Sequence, residues 1–231
     1  MEKPSKLTLK RKAEKIGFNM FMLHVQNNHF DKISDDAIGK HENEITRLSK
    51  IDEKKTIEDS EHLWDIIFLE EELKALAEMK IIYAYKHFEI SLKFMIKASY
   101  KNVAENQMFK WEEVVNFMKT KNIDIKSVDK YKEISELREA NNAIKHSSIS
   151  KSKIPIVEFK NKDLIRYKDI LKFYKRIENS TFDFLISLNA LIWEDLYEFG
   201  EERLNEIVGK IESRMEAEIA IKLANKILSK Y

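Results

Sequence analysis

The scarcity of residues that break helices is the strongest constraint on the fold of this chain. Only four glycines and two prolines occur among its 231 residues. Sheet proteins need many turn formers between short strands, whereas long helices need few. Hydrophobic residues make up 43% and charged residues 35% of the sequence, which suits helices with one buried and one solvated face. We therefore predict an all-α protein.

Composition also removes several classes of function. Because the chain contains no cysteine, disulfides, thiolate catalysis and zinc–sulfur sites are excluded. The net charge of +1 indicates no general attraction to nucleic acid, so any such binding must depend on a local patch. No apolar run approaches the ~20 residues that span a bilayer. The basic N-terminus is not followed by a signal-type apolar core. We expect a cytoplasmic protein that does not contact a membrane.

Apolar periodicity divides the chain into three parts. Residues 1–60 are predicted to form an N-terminal helical arm, with short helices around residues 16–25 and 41–50. Residues 61–199 are predicted to form an up-and-down helical bundle. Residues 201–231 are predicted to form one C-terminal amphipathic helix, which packs on its own bundle or pairs with a second subunit or a partner protein.

Within the bundle, the spacing of apolar residues predicts four helices. The first is long, and its apolar arc widens after Met79, which places it at the centre of the core. A loop containing Pro155 separates the third helix from the last, which runs without interruption until Gly200 provides its C-cap. The predicted helices cover residues 61–99, 109–121, 127–147 and 163–199.

The most informative segment is the end of the third predicted helix, residues 137–147 (LREANNAIKHS). Arg138, Asn142 and His146 are four residues apart, so they form one slanting ridge beside the buried stripe. Lys145 projects close to Arg138, and Asn141 faces inward. Residues of this kind are most often only solvated or bonded to their neighbours. Together they also suit chemistry on a phosphodiester.

The chemistry follows from the side chains. Arg138 and Lys145 can hold a phosphate and neutralise the charge that develops in the transition state. His146 can move a proton to or from a 2′-hydroxyl or a leaving oxygen. No acidic cluster with metal-ligand spacing accompanies them, so we predict neither a metal nor a cofactor. A local basic patch follows the helix and is a candidate RNA-binding surface; it contains Lys151, Lys153, Lys160 and Lys162.

Residues 61–199 resemble the HEPN domain family (higher eukaryotes and prokaryotes nucleotide-binding). The run from Leu137 to Ser147 resembles the signature helix of that family. Residues 83–93 (YAYKHFEISLK) resemble its preceding core helix, and the stretch from Lys110 and Trp111 to residues 122–125 (NIDI) resembles its connector. We expect His87, within that core helix, to be a core or interface histidine, and Trp111 to be an anchor in the core or at its rim.

The resemblance implies a helical bundle that forms a homodimer and cleaves RNA without metal, in a toxin–antitoxin system or antiviral defence. It implies that Arg138 and His146 are catalytic and that Asn142 supports them; Asn141 and Lys145 are further supporting candidates. Seven residues separate Arg138 from His146, where the family's nucleases have four to six, and Glu139 follows the arginine. The alternative is a non-catalytic dimerisation or binding module. The expected partners are RNA, a second copy, and an antitoxin or other regulatory protein.

Overall fold

A computed structural model describes residues 29–51, 60–100, 103, 108, 110–146, 155–197 and 200–229. In these residues the protein is all-helical, as predicted. None of the described helices is both long and apolar enough to cross a membrane. Residues 29–51 form α1. The later helices are α2 (Leu63–Ser99), α3 (Trp111–Lys119), α4 (Tyr131–Lys145), α5 (Tyr167–Ile177), α6 (Ser180–Tyr197), α7 (Glu201–Glu212) and α8 (Ala217–Leu228).

The chain forms two compact units, Met1–Asn189 and Ala190–Tyr231. In the first unit α2 packs against both α4 and α5, which explains why its apolar arc is so wide. The main core lies between these three helices. Ile38 of α1 also contributes to it, as do three residues of the segment before α5, Ile156, Phe159 and Ile165. Phe88 extends this packing to Trp111 of α3 and Phe184 of α6. The long first helix of the predicted bundle is thus confirmed as the centre of the core.

Helix α1 is much longer than the prediction around residues 41–50. It runs through residues 29–51, because polar side chains that look unpartnered in the sequence find partners on distant helices. Lys80 of α2 bonds Asp35 at 2.8 Å and lies 2.9 Å from Asp31. Tyr174 of α5 donates a hydrogen bond of 2.8 Å to Asp31. The helix predicted around residues 16–25 lies outside the described residues.

The helix predicted over residues 163–199 is wrong in two respects, because helical structure begins only at Tyr167 and the structure divides it into α5 and α6. The carbonyl of Asn179 accepts the first bonds of α6, from the amides of Phe182 at 3.1 Å and Asp183 at 3.0 Å. Asparagine is favoured at helix starts, whereas the apolar stripe continues across the two-residue break and hides it. Gly200 is not a C-cap with left-handed geometry; it lies at φ −69° and precedes α7.

The single helix predicted for residues 201–231 is also wrong. A turn between Ser213 and Met215 separates α7 from α8. The amides of Arg214 and Met215 both bond back to the carbonyl of Ile211, which closes α7. The carbonyl of Glu216 then begins α8. This turn contains neither glycine nor proline, so the sequence carries no strong signal for it.

Candidate active site on helix α4

The inward face of α4 is fixed by apolar packing and by one buried ionic contact. Ile134, Leu137 and Ala140 are buried against the core. Glu136 is buried too, and its carboxylate accepts a hydrogen bond of 2.7 Å from Arg176 of α5. The cation offsets the cost of burying this carboxylate, and the contact joins the inward face of α4 to α5.

Arg176 is shared between two carboxylates. Besides Glu136, it donates bonds of 2.8 and 2.9 Å to Glu158, in the turn before α5. The hydrogen bond from Arg176 lowers the pKa of Glu158, although burial acts in the opposite direction. One guanidinium thus bonds two carboxylates, which ties α4, α5 and the intervening turn together. The sequence alone did not identify this cluster.

Arg138 lies at the edge of that fixed face, where α4 meets α3. Its side chain is 25% exposed, and its guanidinium carbon lies 5.7 Å from the ring centre of Trp111. The nearest carboxylate oxygen belongs to Glu112, at 3.7 Å from Nη1. Nε is buried and has no hydrogen-bond acceptor among the described residues. The guanidinium is thus held in place by an aromatic ring and a loose ion pair, with donor capacity still unused.

The other predicted site residues at the end of α4 point into solvent. Asn142, Lys145 and His146 are exposed, and His146 is the C-cap residue of α4. In the described part of the chain, neither Lys145 nor His146 has an ion-pair partner. Eight helical residues correspond to an axial rise of about 12 Å, so Arg138 and His146 lie more than two turns apart in one chain. The ridge is therefore a line of polar groups and not a single cluster.

Asn141 faces inward, as predicted. It is buried, and its Nδ2 donates a long hydrogen bond of 3.4 Å to Oδ1 of Asn142. Its own Oδ1 is buried without a hydrogen-bond donor among the described residues. An amide in this position can orient Asn142 but cannot contact a ligand on the exposed ridge. Asn141 is thus placed to support the site indirectly.

The basic patch is only partly described. Lys151 and Lys153 lie outside the described residues, whereas Lys160 and Lys162 are exposed in the turn before α5. Lys162 bonds the carboxylate of Asp169, which removes much of its attraction for a phosphate. Lys160 is also exposed, and it has no carboxylate close to it among the described residues.

Several residues beside the ridge could not be assigned to it from the sequence. Trp111, expected only as an anchor, and Glu112 reach Arg138 from α3. Tyr85 of α2 lies close enough to sense both Arg138 and Glu112, and burial raises its pKa to about 12. They lie 26 or more residues before Arg138 in the sequence, so no helical periodicity links them to it.

His87 is a second unusual group on α2. Its Nδ1 is buried without a hydrogen-bond partner in the described part of the chain, and its ring lies 4.2 Å from that of Tyr83. Burial, followed by the charge of Lys86, lowers its pKa. The ring is thus neutral at pH 7, which fits the expected core histidine better than a catalytic acid.

The described residues contain no group of three or more histidine and acidic side chains arranged to hold a metal ion. Comparison of the chain with family models, with curated proteins and with solved structures gives no match. The candidate site therefore depends on the geometry of α4 and on the resemblance of its residues.

Proposed function

We propose that this protein is a metal-independent endoribonuclease of the HEPN type that acts in bacterial defence or a toxin–antitoxin system. The observation that carries the proposal is the ridge of α4, on which Arg138, Asn142, Lys145 and His146 project from a helix whose inward face is fixed. A rigid helix keeps such side chains in place, which catalysis requires. Lys145 and His146 also lack the carboxylate neighbours that would neutralise them within the described residues.

In the proposed reaction the 2′-oxygen of a ribose attacks the adjacent phosphorus, and the bond from phosphorus to the 5′-oxygen breaks. His146 removes the proton of the 2′-hydroxyl or delivers one to the leaving 5′-oxygen. Arg138 binds the phosphate oxygens through its guanidinium, and Lys145 adds a second positive charge. The products carry a 2′,3′-cyclic phosphate and a 5′-hydroxyl.

The distance between Arg138 and His146 indicates that one copy of the chain does not form the whole site. A rise of about 12 Å is too long for both side chains to contact one phosphodiester comfortably from a single helix. Two copies with their α4 helices face to face would supply two arginines and two histidines to one RNA strand. We therefore propose that the nuclease acts as a homodimer.

The second candidate is a binding or dimerisation module without catalysis. It is favoured by Glu112, whose carboxylate lies 3.7 Å from Arg138 and competes with a phosphate for the guanidinium. In such a module the same ridge would bind RNA or a protein partner but leave the phosphodiester intact.

The test is incubation of the purified full chain with labelled RNA in EDTA. We expect the wild type to produce cyclic-phosphate ends, and His146→Ala to lose cleavage at unchanged helical content by circular dichroism. His29→Ala is the matched control, because His29 is another exposed histidine, on α1. It should cleave like the wild type. Intact RNA with every variant, together with RNA binding that Arg138→Ala weakens, would refute the nuclease and establish the binding module.

A further inference from the structure

Two aromatic side chains are exposed together at the beginning of α2. Trp64 and Phe68 lie one helical turn apart, are 68% and 62% exposed, and have ring centres 6.5 Å from each other. Of the other phenylalanine and tryptophan side chains that the structure describes, Phe94 alone is exposed too, at 38%. Tryptophan is usually highly buried, and large apolar side chains exposed side by side are typical of a contact surface.

The charged residues around these two rings are all acidic. On a helix the neighbours of a side chain lie three and four residues away. The charged residues at those distances from Trp64 and Phe68 are Glu61, Asp65, Glu71 and Glu72. Residues 60–73 contain five acidic residues and neither lysine nor arginine. We call the two rings and these four carboxylates the acidic aromatic face.

A cavity of about 380 Å³ between α1 and α2 opens beside the same face. Phe68 lines it together with Leu48 and Leu69, which give it an apolar wall. Three of the described carboxylates also line it, those of Glu44, Asp65 and Glu72. An aromatic and aliphatic wall beside carboxylates fits a long aliphatic stem that ends in a cation. Arginine and lysine side chains have that form.

The contacts already made inside the cavity leave its carboxylates able to bind a further cation. Arg47 is the one guanidinium among the described residues that line it, and its bonds of 2.8 and 2.7 Å both go to Glu44. Asp65 and Glu72 each contact one histidine, at 3.4 and 2.7 Å. A carboxylate has about four acceptor sites, so all three keep acceptors for a cationic ligand.

The charge of the face determines which kind of partner it fits. RNA and anionic membrane surfaces present phosphates, which the carboxylates repel. A second copy that packed through the same face would set carboxylates against carboxylates. A basic protein segment has the complementary charge, and its apolar side chains would cover the two rings.

We propose that the acidic aromatic face binds a basic segment of a partner protein. An arginine or lysine of that segment enters the cavity beside Phe68, and an apolar side chain packs against Trp64. The interface uses no residue of the ridge of α4, so it does not depend on the proposed nuclease. It gives the first unit a contact surface for a protein partner in addition to the ridge.

The test uses the full chain and two fluorescein-labelled helical peptides, one of leucine and arginine and one with glutamate in place of each arginine. Fluorescence anisotropy should show that the basic peptide binds about tenfold tighter or more, and that salt weakens its binding. The double variant Trp64→Ala, Phe68→Ala should lose about tenfold or more in affinity for it. Phe94→Ala is the matched control, because Phe94 is an exposed ring on the same helix, between Lys93 and Lys97. It should bind like the wild type.

A charge reversal provides the second measurement. Glu71→Lys should weaken binding of the basic peptide and strengthen binding of the acidic one, whereas Glu218→Lys, the same change on an exposed residue of α8, should alter neither. Equal affinity for the two peptides, failure of the basic peptide to bind, or full binding by the double aromatic variant would overturn the proposal. So would self-association of the full chain that the double variant abolishes, which would assign the face to a second copy. Loss of RNA binding in the double variant would assign the rings to nucleobases instead.

Discussion

Replacement of Lys80 by methionine tests how helix α1 is held to the first unit. The Lys80 side chain is 3% exposed, and its ammonium group contacts Asp31, Asp35 and the hydroxyl of Ser34 at 2.9, 2.8 and 3.2 Å. It also lies 4.8 Å from the ring centre of Tyr174. Methionine preserves most of the length and volume of the side chain. The substitution therefore removes the charge and the hydrogen bonds with little change in packing.

The expected cost follows from what remains after the substitution. Breaking a buried ion pair by removing one partner costs about 3–5 kcal/mol, because the other charge stays desolvated. Here the Asp35 side chain is 64% exposed and that of Asp31 is 22% exposed, so both carboxylates can recover part of their hydration. Tyr174 also continues to donate to Asp31. We therefore expect a loss of about 2–3 kcal/mol in the free energy of unfolding.

The assay is urea unfolding followed by circular dichroism, together with hydrogen exchange of the α1 amides. Lys93→Met is the matched control, because Lys93 lies on the same helix and forms a half-exposed pair with Glu89 at 2.7 Å. We expect it to cost less than about 0.5 kcal/mol. Faster exchange in α1 should accompany the loss in Lys80→Met. If Lys80→Met unfolds like the control and α1 exchanges no faster, the ionic contacts do not hold α1.

Two further predictions concern pH. Because Arg176 lowers the pKa of Glu158, this carboxylate stabilises the fold above pH 4.5, and the contribution is lost as the pH falls through its folded pKa. The stability advantage of the wild type over Glu158→Gln should thus shrink in acid urea melts; a constant difference would contradict this. The raised pKa of Tyr85, about 12, means that its neutral form stabilises the fold below pH 10, a contribution lost between pH 10 and 12. Alkaline melts should therefore show the wild type losing stability relative to Tyr85→Phe in that range, and parallel curves would contradict it.

The sequence predicted the parts of the fold that depend on local periodicity. The stripe of Ile66, Leu69, Leu73 and Leu76, followed by a wider apolar arc, located α2 and its central position. Periodicity missed two breaks between helices. The apolar stripe passes through Asn179 although the helix does not, and the turn after Ser213 lacks glycine and proline. Helix α1 was underestimated because its partners lie as many as 143 residues away.

The candidate site was likewise predictable where it depends on positions within one helix, and not where it depends on contacts between helices. The ridge of Arg138, Asn142 and His146 follows from positions within one helix, and the structure places all three on α4 or its cap. The environment of Arg138 could not be predicted, since Trp111 and Glu112 come from another helix. Nor does spacing reveal that Arg138 is half-buried while His146 is exposed, because that depends on which neighbours pack against α4.

These surroundings give Arg138 a testable geometry. The guanidinium lies beside an aromatic ring and 3.7 Å from a carboxylate, and its Nε is buried. If a phosphate is the true ligand, Glu112 competes with it, so Glu112→Gln should tighten RNA binding, whereas Arg138→Lys should weaken it because lysine lacks the planar donor pair. If Glu112 instead serves only to anchor Arg138, Glu112→Gln loosens the arginine and weakens RNA binding as well. Filter binding of labelled RNA by the two variants separates competition from anchoring, independently of cleavage.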